Sequence, residues 1–302
     1  MSQSATAAKP RGDATATLRP AAPGDAGAVA RIVYEAFAGI HDRHRFARDF
    51  PTPEAALGLA RGFIAHPSIW GVVAELDGRV IGSNFLDERG PIRGVGPITV
   101  DPGTQQRGVG RLLMSAVMRR ADGAAGIRLL QDAFNTRSMA LYASLGFAVR
   151  EPVVVMSGRP CGAPASGVDV RPLEHRDIEA AARLHQTIHG FDRTGELRDA
   201  LEAPDLDPSV ATRDGRVVAY ATTLGSFAAA HAVAETERDM ASLIAGAVTA
   251  DRPPASFLLP TRQHELFRWA LDAGLRIVKP MTYMTAGEYH DPRGAWIPSV
   301  LY

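Results

Sequence analysis

Apolar residues recur along this chain at two spacings, and both appear in each half in the same order. Val29, Ile32, Val33, Ala36 and Phe37 fall at i, i+3, i+4, i+7 and i+8, the stripe of an amphipathic helix. Val72 to Leu76 and Arg79 to Phe85 flank Asp77-Gly78, a dipeptide that tolerates the positive φ of a tight hairpin turn. Gly94 to Val100 reads as a buried strand. The helical spacing then returns at Val109, Leu112, Leu113, Ala116 and Val117. Arg128 to Gln131 predicts a further strand, and a short helix from Asn135 ends at Leu145-Gly146-Phe147.

The second half repeats this order. Leu18-Arg19-Pro20, Asp25, Ala28, Ala30 and Arg31 match Val170-Arg171-Pro172, Asp177, Ala180, Ala182 and Arg183 at one constant offset. In both copies the Asp stands where a helix N-cap belongs. A second hairpin is expected around Asp214-Gly215. Gly146, Pro152 and Met156 pair with Gly274, Pro280 and Met284 at another constant offset. Agreement at three places in one order predicts a tandem duplication. The expected division is a tail over 1–14, a first domain over 15–157, a Gly/Pro-rich linker over 158–167 and a second domain over 168–302.

The chemistry concentrates between the strand at Gly94–Val100 and the helix from Val109. Asp101-Pro102-Gly103 turns the chain into Gln105, Gln106, Arg107, Gly108, Val109 and Gly110. A helix start presents main-chain N–H groups without intrahelical partners at the positive end of the dipole, which suits a phosphate or diphosphate. Gly108 and Gly110 lack a Cβ and let a ligand approach the backbone. Arg107 and Arg111 add charge-assisted donors. The Gly-Lys-Ser/Thr ending of a P-loop is absent, as are the glycine spacing and parallel βαβ unit of a dinucleotide fold.

Gln105-x-x-Gly108-x-Gly110 between strand and helix resembles the pyrophosphate loop of the GNAT N-acetyltransferase superfamily. Asn135, Ser138 and Tyr142 lie on one helix face, and this segment is similar to the one in which that family places an Asn at a helix start and a Tyr one turn before Gly-Phe. The resemblance covers about residues 15–157. It implies an α+β fold: two tandem GNAT-like domains, each a mostly antiparallel mixed sheet flanked by helices, the second degenerate. It further implies acetyl-CoA as co-substrate, with the pantetheine arm beside Ile98, Thr99 and Val100 and the diphosphate on Gln105 to Arg111. Asn135 and Ser138 would lie near the pantetheine or adenylate. A main-chain N–H near Ile98 would polarise the thioester. Tyr142 matches the family position that protonates the coenzyme A sulfur.

The resemblance does not supply the base. Relatives often carry a Glu on the strand before the loop, and Gly94–Val100 holds no carboxylate. Asp87 and Glu88 are the substitutes, His44 and His66 weaker ones, and attack by an amine deprotonated in bulk solvent stays open. The acceptor is expected over His41, His44 and Phe50, with Asn84 and Phe85 beside it. In the second copy Thr236 and Arg238 stand opposite Gly108 and Gly110, among Glu235, Glu237 and Asp239, and Ala270 stands opposite Tyr142. Bulk and negative charge at that place predict no cofactor site. The chain is therefore expected to be an N-acetyltransferase acting on a primary amine of a small molecule or protein. A non-catalytic acyl-CoA sensor, or the same fold with another acyl donor, is the alternative.

Composition narrows the partners. Lys+Arg and Asp+Glu number 33 each, so there is no basic footprint for nucleic acid. No apolar run approaches the roughly 20 residues of a membrane helix, and Met1 to Thr17 lacks the apolar region of a secretory signal. Cys161 is the single cysteine, which excludes an internal disulfide and fits a reducing cytoplasm. His41 and His44, or His185 and His189, do not form a closed ligand set, so no metal is expected. A monomer or homodimer is expected.

Overall fold

The computed structural model describes residues 15–104 and 108–301. In the first half the elements are β1 (Thr17–Pro20), α1 (Ala26–His44), α2 (Pro53–Ala65), β2 (Ile69–Leu76), β3 (Arg79–Asp87), β4 (Ile92–Val95) and β5 (Thr99–Val100). They continue as α3 (Val109–Arg120), β6 (Gly126–Asp132), α4 (Thr136–Ser144) and β7 (Ala148–Gly158). The second half holds β8 (Val168–Pro172), α5 (Ile178–His189), α6 (Thr194–Glu202), β9 (Ser209–Arg213), β10 (Arg216–Ala221) and β11 (Ala232–Ala234). It ends with α7 (Glu237–Ala247), β12 (Ala255–Pro260), α8 (His264–Asp272), β13 (Arg276–Gly287) and β14 (Ala295–Ile297).

The repeat is visible at the level of single contacts. The Arg19 guanidinium holds Asp25 with two hydrogen bonds of 2.7 and 2.9 Å, and Arg171 holds Asp177 with two of 2.7 Å. Each carboxylate also accepts a main-chain N–H three residues back, from Ala22 and Glu174. The aspartates thus brace a short 3-10 turn ahead of the helix, and their side chains do not cap α1 or α5. Both hairpins turn through consecutive positive φ values, 50° and 72° at Asp77-Gly78 and 50° and 74° at Asp214-Gly215.

Among the described residues one sheet runs β1-β2-β3-β4-β6-β13-β7-β12, with β5 also on β3, and a second runs β14-β11-β10-β9-β8. Every pairing is antiparallel except that of β4 with β6. In the middle of the first sheet the halves interleave. β13 of the second half lies between β6 and β7 of the first, and β7 lies between β13 and β12 of the second. Read from either end, the order β6-β13-β7-β12 alternates between halves, as a twofold exchange of last strands requires. The two expected domains are therefore stitched through one continuous ladder.

The expected strand over Gly94–Val100 is interrupted. Val95 pairs with Leu86 and Thr99 with Ser83, so the first strand supplies one residue more than its partner between these points. Gly96-Pro97-Ile98, with a cis Gly96–Pro97 bond, bulges out of the ladder. Helix α3 buries Val109, Leu113, Ala116 and Val117 against β2 and β3, the face its spacing foretold.

Candidate functional site

Helix α3 starts without a cap of its own. Gly108 is its N-cap at φ 98° and has no side chain with which to cap the first-turn N–H groups. Among the described residues, a Cβ built on Gly108 would meet nothing within 4 Å. Val109, the first residue of the helix, is buried in the core. Arg111 is nearby and donates to Ser144 Oγ at 2.6 Å. These features fit a diphosphate group. Gln105, Gln106 and Arg107 lie outside the described residues.

Beside the loop the sheet opens. β4 and β6 run parallel from Ile92 opposite Gly126 to Gly94 opposite Arg128, and then the bulge at Gly96–Ile98 turns away. The resulting cleft, of about 90 Å³, is lined by the bulge and Leu129–Asp132 and by Asn135, Ser138 and Tyr142 of the α4 segment. Asn135 caps α4, its Oδ1 accepting from Ser138 N at 3.2 Å. Thr99 and Val100 continue on β3, where the Thr99 and Ser83 hydroxyls are 3.3 Å apart. Tyr142 is buried. Burial first, with the nearby Asp132 charge, pushes its phenol up to about 12 against a hydrogen bond with Ser138. It therefore carries its proton at neutral pH and stands at the cleft as a protonated donor.

The cleft also borders a buried ionic cluster assembled from four elements. His41 comes from α1, Asp49 from the following loop, Asp132 from the end of β6 and Lys279 from the exchanged strand β13. Lys279 Nζ lies 2.6 and 2.7 Å from the Asp49 oxygens, 2.6 Å from Asp132 Oδ1 and 3.1 Å from His41 Nε2. His41 Nδ1 faces the Phe37 carbonyl at 2.7 Å and fixes the ring. Burial raises Asp132, with Lys279 opposing it. For Asp49 burial is outweighed by its contacts to His41 and Lys279, and its carboxyl lies below the usual range. His41, Asp49 and Asp132 converge closely enough to hold a cation, but the Lys279 ammonium stands among them and supplies the positive charge. Phe227 and Met281, also from the second half, complete the cleft, with Val300 beside them.

A family model described as an acetyltransferase (GNAT) domain matches residues 67–149, the stretch from β2 through α4. That stretch of the chain is similar to GNAT domains. A mycothiol acetyltransferase from Nocardia farcinica is 38% identical over 76 residues, which is 23% of this chain and 25% of that protein's length. Two solved structures share the fold across both halves. An acetyltransferase-like protein of Pyrococcus horikoshii superposes with TM-score 0.70 at 16% identity over 93% of this chain and 94% of its own. A tandem GNAT protein from the clavulanic acid biosynthesis pathway gives 0.57 at 14% over 90% and 98%.

The second copy closes each feature that the first leaves open. Thr236, the N-cap of α7, accepts from Asp239 N at 3.1 Å, and the buried Asp239 carboxylate pairs with Arg213. Glu237 reaches across to Leu266 N of α8 at 2.6 Å. The gap that would separate β11 from β12 is filled by β14, which pairs with β11 and lies beside β12. Gln263, the repeat counterpart of Asn135, grips that strand in both directions, donating to Trp296 O and accepting from Trp296 N at 2.7 Å each. A peptide strand thus occupies in the second half the position left as a cleft in the first.

Several residues singled out in the sequence fall elsewhere. Asp87 is bound side-on by Arg89 at 2.6 to 3.0 Å, and Glu88 by Arg120 at 2.9 and 3.1 Å. Neither lines the cleft, and a carboxylate whose lone pairs face a guanidinium is a poor base. Asn84 points to Met114 under α3, and Phe85 is buried edge-on to Phe63, so both are core residues. His44 stands over Phe134, Phe50 packs edge-on to Phe37, and His66 faces Asp199 at 3.4 Å. Lys279, Asp132, Phe134 and Phe227 were not anticipated. Asp132, three residues before Asn135, carried a positional hint; Lys279 carried none.

Proposed function

We propose that this protein transfers an acetyl group from acetyl-CoA to a primary amine, with the first half binding the donor. The observation that carries the reading is the coincidence, on one side of the sheet, of an uncapped glycine-initiated helix and a cleft walled by a protonated tyrosine. The helix mouth suits the donor's diphosphate, and the opening between β4 and β6 suits its amide-bearing arm as an added strand. The second copy, where the chain's own β14 fills that opening, supports this fit. Gly96 N donates to Phe85 O and Pro97 has no N–H, so the Ile98 main-chain N–H is the donor of the bulge that would face the thioester oxygen and stabilise charge there. Tyr142 would return a proton to the departing sulfur.

Calorimetric titration of the full chain with coenzyme A tests the binding, and release of free thiol from acetyl-CoA with a panel of amino sugars, amino acid esters and short peptides tests the reaction. Saturable binding with amine-dependent thiol release is expected. Binding without release by any amine would leave an acyl-CoA sensor, and absence of binding would overturn the reading altogether.

A further inference from the structure

The acetyl-transfer reading leaves unassigned the buried cluster whose Asp49 and Asp132 line the same cleft as Tyr142. Of its four members only Asp49 and Asp132 line the cleft; His41 and Lys279 are closed off behind them. Both oxygens of Asp49 are committed to Lys279, one of them also facing His41 at 3.3 Å. Asp132 is held through Oδ1 alone, by an ion pair rather than an aligned hydrogen bond. Its Oδ2 is 3.6 Å from His41 Nε2, beyond hydrogen-bond reach, and so keeps lone pairs for a ligand. The same carboxylate is close enough to Tyr142 for its charge to act on the phenol.

We propose that Asp132 is the base that deprotonates the acceptor amine, and that Lys279, brought from the second half on the exchanged strand, is the positioning residue that holds it. The inference rests on the acetyl-transfer reading above. Asp132 Oδ2 takes a proton from the acceptor ammonium. The freed lone pair forms the N–C bond at the thioester carbonyl, and the C–S bond breaks with its electrons going to sulfur. Tyr142 gives its phenolic proton to that thiolate and recovers one from the new amide nitrogen, while Asp132 releases its proton to solvent. Charges and atoms balance: ammonium and thioester yield amide, thiol and one proton.

The groups facing Asp132 are Lys279 from β13, Asp49 from the α1–α2 loop, His41 from α1 and Tyr142 from α4. Burial raises the carboxyl toward neutrality, which suits a base better than an ordinary aspartate. The second half thus completes the first site although its own is filled.

On the full chain, Asp132→Asn is expected to lower amine-dependent thiol release by roughly 100-fold or more, while coenzyme A affinity stays that of the parent. A readout without turnover is the carbon-13 carboxyl titration of aspartate-labelled protein. One resonance, missing in Asp132→Asn, should titrate above the ordinary carboxylate range. Lys279→Met should move it up, Lys279→Arg should bring it back, and Asp49→Asn should move it down by removing a like charge. The acidic limb of kcat/KM should follow. Full activity of Asp132→Asn, or a resonance indifferent to Lys279 and Asp49, overturns the assignment. If the parent itself neither binds coenzyme A nor releases it, acetyl transfer fails first; if the parent turns over and Asp132→Asn equals it, this inference alone fails.

Discussion

Two glycines at the helix mouth do different physical work. Gly108 holds φ 98°, where an L residue is strained, whereas a Cβ on Gly110 would meet only Leu141 Cδ2 at an ordinary 3.4 Å. Gly108→Ala is therefore expected to cost about 1–2 kcal/mol of stability and also to weaken coenzyme A binding. Gly110→Ala should leave the denaturation midpoint unchanged and weaken only the binding. Equal stability loss in both variants would contradict this division. Tyr142→Phe removes a buried hydroxyl and its proton, so kcat is expected to fall while coenzyme A affinity, read by calorimetry, holds. Both positions were legible in the chain, because a glycine pair ahead of a helical stripe and a Tyr before Gly-Phe are local patterns. The base was not. Asp87 and Glu88 were attractive as nearby carboxylates, yet their arginine partners are set by packing that the local sequence does not state.

At the scale of elements, the exchange of β7 and β13 decides how the protein can be divided. Residues 15–158 alone would leave the β6 edge without β13 and β7 without both its neighbours. Unpaired edges of this kind associate with other chains. Each half expressed alone is expected to form exchanged oligomers or aggregates by gel filtration, and co-expression of both halves should restore a one-to-one complex. Monomeric, cooperatively folded halves would rule out a structural need for the exchange. The β14 strand makes a second element-scale contact. Leu301, four residues beyond it, places its carbonyl where a Cβ on Gly94 would stand. Gly94→Ala should therefore dislodge 298–301 from β4, seen as faster proteolysis of that segment.

Across the whole molecule, acid stability has an identifiable weak point in the second half. His185, His189 and His231 lie together in its core near Arg193, with ring centroids 4.6 to 6.5 Å apart. Burial holds His185 down to about 3 and the other two well below the usual value, with the Arg193 charge adding to the effect. In the unfolded chain these groups take up protons near pH 6.5, whereas the folded state resists. Their contribution is complete above that pH and is lost as pH falls below it, by as much as about 1.4 kcal/mol per unit for each histidine. The thermal midpoint should drop between pH 7 and 5, and His231→Gln should flatten the slope. A midpoint constant over that range would show that the histidines are not held neutral.

Periodicity, turn residues and the repeated Arg-Pro and Asp positions determined from the chain alone that two similar α+β units follow one another. They also determined that only the first begins its central helix with a bare backbone. Those features depend on residues within a turn or two of each other, so their physics is written locally. Which half supplies which strand was decided by the tertiary structure, because any apolar strand can satisfy a ladder edge and the choice lies in closing the whole sheet. That choice sets Lys279 beside Asp49 and Asp132, residues far apart in the chain, and lays β14 in the second opening. A charge cluster exists only where folding has brought its members together, and no spacing in the sequence records that meeting.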